Sequence, residues 1–270
     1  MARFQIEAGE SLYFEYDAPR DGMQTFVFVN ALTGNTGTWQ DHIGPALRKL
    51  GYGTLCYNFR GQADTEFADD TPLPPTLVAQ DLALLMAEVA PPRPILVGLS
   101  IGGLFAAEAF QAGVAAEGLV LINTLRRPGP RIEWLGTAMV AMARAGGSRL
   151  MMEANLPMLV NPDQLVAMRP TMFPGTPYEP MSPDDGLFRL MAASVDTNWD
   201  FPWESLTLPT LVMTGLHDRV FRVEEDVTEL TARIPDATSV TVADAGHLIP
   251  VERPEAFTRH LVSFATAIRG

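Results

Sequence analysis

The sequence predicts an α/β fold, a mostly parallel sheet flanked by helices on both faces, with a helical lid inserted late in the chain. Three observations predict it. Strand-like and helix-like segments alternate along most of the 270 residues. The strand-like segments are near-continuous apolar runs, as expected of a sheet covered on both faces. Between residues 125 and 204 the alternation stops, and a stretch rich in Met, Pro, Arg and Trp carries helical spacing with no strand pattern.

The elements follow in order. Phe4–Glu7 and Leu12–Tyr16 alternate in polarity and read as an antiparallel hairpin at the sheet edge. Thr25-Phe26-Val27-Phe28-Val29-Asn30 reads as a central strand, Asp41–Leu50 as a helix stopped by Gly51, and Gly53–Tyr57 as the next strand. Pro75-Thr76 opens a helix whose apolar positions Val78, Leu82, Leu85 and Val89 share one face. Pro94–Val97 and Gly118–Ile122 are strands separated by a helix over Gly103–Phe110. Helical spacing marks Trp134–Arg144 and Leu187–Val195. Pro209–Thr214 and Ser239–Ala243 are the last strands, before a helix from Pro254 with the stripe Phe257, Leu261, Phe264 and Ile268. This divides the chain into a core of residues 1–124 and 205–270 and a lid of residues 125–204. The lid is expected over the carboxyl ends of the strands, where open α/β sheets bind ligands.

Composition narrows the partners. Apolar residues make up 47% and charged residues 19%, which is a globular balance. The net charge of −13 disfavours nucleic acid and anionic membrane surfaces. No apolar run approaches the ~18 residues of a membrane span, and Met1–Glu7 lacks the basic-then-apolar order of a signal peptide. Cys56, the single cysteine, lies within a strand and reads as a small core residue. A cytoplasmic location is expected. The expected partner is a small molecule, a homodimer stays open, and no motif calls for a cofactor or metal.

Gly98-Leu99-Ser100-Ile101-Gly102 carries the chemistry. A serine on a sharp strand-to-helix turn is pushed out of the sheet, and the flanking glycines remove Cβ atoms that would collide there. The helix that follows turns its free N–H groups and dipole toward any negative charge formed nearby. Such a serine needs a base, and the base needs an acid to hold its tautomer. His247 follows the last strand directly. His42 and His260 read as structural, and His217, after the penultimate strand, is the competitor. Asp218 is preferred to Asp226, on a solvated helix face, and to Asp244, in a turn. The order Ser100, Asp218, His247 is the one this strand–turn–helix motif carries.

An oxyanion needs two donors. Ile101 N–H is one, and the loop Asn30-Ala31-Leu32-Thr33-Gly34 supplies the other, assigned to Leu32 N–H. Asn30 either ties that loop together or touches substrate. Trp134, opening the first lid helix, is a further candidate substrate contact.

With these parts the chain resembles the α/β-hydrolase superfamily over most of residues 20–124 and 205–270. Asn58-Phe59-Arg60-Gly61 is similar to its Asp-x-Arg-Gly turn with Asn substituted, Trp39 to the aromatic after the oxyanion loop, and Gly246-His247 through Phe257 to its His-to-last-helix segment. Asn30-Ala31 stands where most members carry His-Gly. The 3-oxoadipate enol-lactonases share that departure in part, and their elbow and the Asn-Thr after the next strand resemble Gly98–Gly103 and Asn123-Thr124. Ala31-Leu32-Thr33-Gly34 also resembles a local stretch of homoserine acyltransferases.

The resemblance implies a cofactor-free serine hydrolase of a small carboxylic ester or lactone, acting through an acyl-enzyme. Arg126, Arg127 and Arg131 either grip a substrate carboxylate, as an enol-lactonase requires, or balance an acidic protein at the lid hinge. A C–C bond or thioester hydrolase, an acyltransferase, or a low-turnover receptor would use the same framework. The His-Gly-Gly-Gly-type loop common in C–C hydrolases is missing here.

Overall fold

A computed structural model describes residues 2–69 and 71–269. The chain runs β1 (Ala2–Glu7), β2 (Glu10–Asp17), β3 (Thr25–Val29), α1 (Gly37–Gln40), α2 (Ile43–Lys49), β4 (Gly53–Asn58), α3 (Pro75–Val89), β5 (Pro94–Leu99), α4 (Ile101–Gln111) and β6 (Gly118–Ile122). It continues through α5 (Pro130–Leu159), α6 (Pro162–Met172), α7 (Gly186–Ser194), a 3-10 turn at Trp203–Ser205, β7 (Thr210–Gly215), α8 (Glu224–Arg233), β8 (Ala237–Val242), α9 (Ile249–Glu252) and α10 (Pro254–Ala267).

Among the described residues these strands form one eight-stranded sheet in the order β1-β2-β4-β3-β5-β6-β7-β8. Only β1–β2 and β2–β4 pair antiparallel, so the predicted edge hairpin is present. The chain leaves β3 for β4 on one side and returns to β5 on the other, which opens a crevice at the carboxyl ends of β3 and β5. Val29 lies beside Gly98, Leu99 beside Ile122, and Ile122 beside Met213. The loops leaving β3, β5, β6 and β7 therefore emerge at one level.

Strand residues alternate between two cores, as the two-residue period of a strand requires. Val27, Val29, Leu55, Tyr57, Leu96 and Leu121 pack under α3 and α4, against Leu82, Leu85, Leu104 and Phe105. Phe26, Phe28, Cys56, Ile95, Val97 and Met213 face the other way, against Trp39, Ile43, Leu47, Phe257 and Leu261. Cys56 is buried, as its strand context predicts.

The region expected to be lid is helical, with two differences from the sequence reading. The predicted Trp134–Arg144 helix is the first half of α5, which continues beyond a break at Gly146 and Gly147, where Gly147 has φ 71°. Helix α6 was not expected, although Asn161-Pro162-Asp163 carries its signal: the Asn161 side chain caps the Asp163 N–H at 2.8 Å and Pro162 occupies the first turn. The helix expected over residues 41–50 is α2, which begins two residues later, at Ile43, and the short α1 ahead of it, Gly37–Gln40, was not expected. No described helix is long and apolar enough to cross a membrane.

Candidate active site

Ser100 sits between β5 and α4 with φ 60° and ψ −126°, a left-handed conformation costing a non-glycine residue about 1–3 kcal/mol. Its surroundings enforce the turn. A Cβ on Gly98 would lie 2.3 Å from Gly103 Cα, one on Gly102 2.3 Å from Asn30 O, and one on Gly103 2.0 Å from Thr124 Oγ1. Helix α4 thus packs directly on the backbone that leaves β3 and on the end of β6.

Asp218, on the loop after β7, and His247, after β8, meet through Nδ1 and Oδ2 at 2.6 Å. Both are buried. The second carboxylate oxygen accepts the N–H groups of Val220 at 3.1 Å and Phe221 at 2.9 Å. Burial pushes the Asp218 carboxyl up, but the imidazole, the Phe221 N–H and the Arg126 charge outweigh it and hold it below the ordinary range.

The other acids and histidines are placed elsewhere. Asp226 pairs with Arg127 and Asp244 with Arg253. His42 is exposed at the start of α2. His260 lies on α10, where burial and Arg259 lower its pKa. His217 is half-buried and donates its backbone N–H to Ala245 O.

Two residues to which the sequence assigned no role hold the loop that carries His247. Glu252 accepts N–H groups from Gly246 and Leu248, on either side of His247, at 3.0 Å each, and from Asn161 at 2.7 Å. Asn123 donates from Nδ2 to the carbonyls of Gly246 at 3.1 Å and His247 at 2.9 Å, while its Oδ1 accepts Gly215 N–H at 3.0 Å. It joins the end of the Asp strand to the His loop. Asn123 had signalled only through family resemblance. A signal for Glu252 existed in its place just before Arg253-Pro254.

Leu32 and Ile101 both line the cavity that holds Ser100 and His247. Among the described residues, neither backbone N–H donates to a protein acceptor. The loop around Leu32 is tied by Gln62, whose Nε2 donates to the carbonyls of Ala31 and Leu32 at 3.0 Å each.

Asn30 is part of that support. Its Nδ2 donates to Tyr57 O at 2.8 Å, Gln62 Oε1 at 3.0 Å and Asn58 Oδ1 at 3.1 Å, and its Oδ1 accepts Trp39 Nε1–H at 2.7 Å. The amide is fully committed inside the protein, so its placement matches the tying role and corrects the substrate-contact alternative. Trp134 requires a correction too. It is 81% exposed and lines a separate, open surface groove with Leu135 and Met158, away from Ser100.

The cavity over Ser100 has a volume of about 150 Å³. Its walls are largely apolar, with Met139, Val140, Met151, Met152 and Met191 from α5 and α7, and Trp199 and Phe221 beside them. One cation enters this wall, Arg126. Its Nη2 donates to Ser100 Oγ at 2.6 Å, and this is the hydrogen bond Oγ makes among the described residues. Arg127 and Arg131 point elsewhere, to Asp226 and Glu229 and to the Val220 carbonyl. No group of three or more His, Cys, Asp or Glu side chains able to hold a metal occurs among the described residues.

Comparison with known proteins fits this geometry. A carbamate-hydrolase candidate of Variovorax paradoxus (strain S110), RutD, is 26% identical over 95% of this chain and 97% of its own length. The enol-lactonase from Burkholderia xenovorans LB400 superposes with a TM-score of 0.79 at 26% identity, covering 96% of this chain and 97% of that one. MGS-M2, an alpha/beta hydrolase from a Medee basin deep-sea metagenome library, shares the fold with a TM-score of 0.82 at 17% identity, covering 97% and 96%. The model of the alpha/beta hydrolase family matches residues 26–260, a span holding the elbow, both partner loops and the inserted helices. The chain is therefore a hydrolase of the alpha/beta hydrolase family.

Proposed function

We propose that this hydrolase cleaves a small carboxylic ester or lactone through an acyl-enzyme on Ser100. The observation that carries the reading is the buried Asp218–His247 contact of 2.6 Å opening on the same cavity as the strained Ser100. Likeness to an enol-lactonase at 26% identity supports the bond class.

In this reading Ser100 Oγ attacks the carbonyl carbon as His247 Nε2 takes its proton. Asp218 holds Nδ1–H and stabilises the imidazolium. Charge collects on the carbonyl oxygen, which the N–H groups of Leu32 and Ile101 receive. Losing one such donor typically costs about 3 kcal/mol of transition-state stabilisation. As the carbon–oxygen bond breaks, the imidazolium returns the proton to the leaving alcohol, which remains tethered to the acyl group when the substrate is a lactone. Water, deprotonated by the same imidazole, then releases the acid.

A fluorophosphonate probe should label the wild-type protein and fail to label Ser100→Ala, and p-nitrophenyl ester turnover should disappear in the same variant. Labelling or turnover that survives Ser100→Ala overturns the assignment.

A further inference from the structure

Among the described residues, Arg126 is a buried cation whose surroundings do not account for it. It lies buried beside the nucleophile, and no carboxylate comes within ion-pair distance of it among the described residues. Its Nη2 reaches Ser100 Oγ at 2.6 Å and Asn123 O at 3.2 Å, and its Nε is buried with no acceptor at all. The nearest acid is already committed, because Asp218 gives one oxygen to His247 and the other to two backbone N–H groups. Buried charges are ordinarily paired. This one is stacked, with its guanidinium carbon 4.0 Å from the Phe221 ring centroid and 4.7 Å from that of Trp199. Covered on its faces, the guanidinium has only its edge to offer a ligand. An edge of parallel N–H groups matches a carboxylate.

We propose that Arg126 caps the nucleophile at rest, and that a free carboxylate on the substrate draws the guanidinium off Ser100 Oγ as it binds. The proposal rests on the hydrolase reading of Ser100 and deepens it by naming the substrate as a monoester or lactone carrying an acid function. At rest, the cationic N–H occupies a lone pair that Oγ must present to the carbonyl. When the carboxylate takes the edge, that lone pair is released and the Oγ proton is left to His247. No covalent bond changes in this step, since one hydrogen bond is exchanged for a charge-assisted pair. With N–H···O contacts of about 2.8 Å, the carboxylate would lie roughly 5 Å from Oγ. The acid and the scissile carbonyl are thus separated by a short chain. Burial pushes the Arg126 pKa down only to about 10, so the cap is cationic at neutral pH.

Three measurements test this on the intact chain. The first compares labelling by a neutral fluorophosphonate in wild type and Arg126→Met. Removing the cap should speed labelling about tenfold, by analogy with losing one charge-assisted hydrogen bond. The second compares monomethyl and dimethyl glutarate as substrates. The wild type should prefer the monoester, and that ratio of kcat/KM should fall about 10- to 100-fold in Arg126→Met and partly in Arg126→Lys, which keeps the charge without the fork. The third titrates glutarate into wild type and Arg126→Met by calorimetry, with binding expected only in the wild type. Equal labelling rates, or equal losses on both esters, overturn the cap. Absence of glutarate binding to the wild type overturns the carboxylate, whether or not the protein turns over esters. If Ser100 is not labelled in either protein the hydrolase reading fails separately, and the calorimetry still decides whether Arg126 binds the acid.

Discussion

Replacing Arg126 by methionine should make the protein more stable, and the size of the gain follows from the site. Burial lowers this guanidinium well below its ordinary range, to about 10, with Asp218 only partly opposing the fall. A base with a lowered folded pKa binds its proton less tightly when folded, so keeping it charged at neutral pH opposes folding by about 3 kcal/mol. Methionine fits between Trp199 and Phe221 as an apolar side chain without a charge to desolvate. Swapping volumes in such a slot costs about 1 kcal/mol, and the donor lost to Ser100 Oγ and Asn123 O together costs about another. The net expectation is a gain of roughly 1 kcal/mol, or a Tm rise of about 2–4 °C for a chain of this size. Thermal unfolding followed by circular dichroism at pH 7.5 measures it, with Arg126→Lys as the control that keeps a charge and gains nothing. A Tm that falls by several degrees would show that the guanidinium holds the fold together, and the case for a cation kept in place for a ligand would be lost.

Two other residues invite similar treatment. Glu252→Gln leaves one oxygen to serve the N–H groups of Gly246, Leu248 and Asn161 and turns an NH₂ toward at least one of them; about 2–3 kcal/mol of stability should be lost by urea denaturation, with kcat down at least about tenfold and KM within about twofold because His247, not the substrate, is misplaced. An unchanged kcat would show that the base is held without this carboxylate. Glu108, on α4, is raised to about 7 by burial. The folded chain keeps this proton where the unfolded chain, at about 4.3, has lost it, so its contribution to stability falls as pH rises from about 4 to 7 and stays low above. Glu108→Gln should leave Tm unchanged at pH 4 and raise stability by about 1 kcal/mol at pH 8, a value discounted for the side chain's partial exposure. Equal effects at both pH values would remove this account.

How much of the site could be read from the sequence depended on whether a residue's role is local. The elbow is local. Gly98, Gly102 and Gly103 are required because Cβ atoms there would strike backbone or Thr124 within 2.0–2.3 Å, and the six residues Gly98–Gly103 record that need. Asp218 and His247 are singled out by chain order and strand ends, which also leave local marks. Asn30 is different, since its partners lie at positions 39, 57, 58 and 62, and only folding brings them round one amide. Arg126 and Arg127 are chain neighbours of identical type, yet one is buried on Ser100 and the other is exposed on Asp226 and Glu229. Trp134 was readable after all. Ile132, Gly136, Met139 and Val140 line the cavity at the spacing of one helical face, and Trp134, two residues from both Ile132 and Gly136, falls on the opposite face, where it is exposed.

The helices between β6 and β7 do two different jobs, and the hydrogen bonds separate them. The far end of α5 is fused to the loops that carry Asp218 and His247: Leu159 O accepts His247 N–H at 2.6 Å, and Met158 O accepts Arg219 N–H, one residue past Asp218, at 2.8 Å. Asn161 then binds Glu252 through its backbone and Asp244 O through its side chain, at 2.7 and 2.8 Å. Gly246 has to be glycine for this approach, because a Cβ there would lie 2.1 Å from Leu159 O. Around the Gly146–Gly147 break the wall changes character. Ala143, Met151, Phe188 and Met191 form their own small cluster, with Met139, Met142, Met152 and Met181 packed against it. Methionine side chains re-pack readily around differently shaped ligands. On the proposed function, an element anchored to the His247 loop at one end and built of adaptable side chains at the other can change which acyl group it accepts without moving the imidazole. Substitutions at Met139 or Met191 should therefore alter KM among acyl chains, whereas those at Leu159 or Asn161 should alter kcat for every substrate.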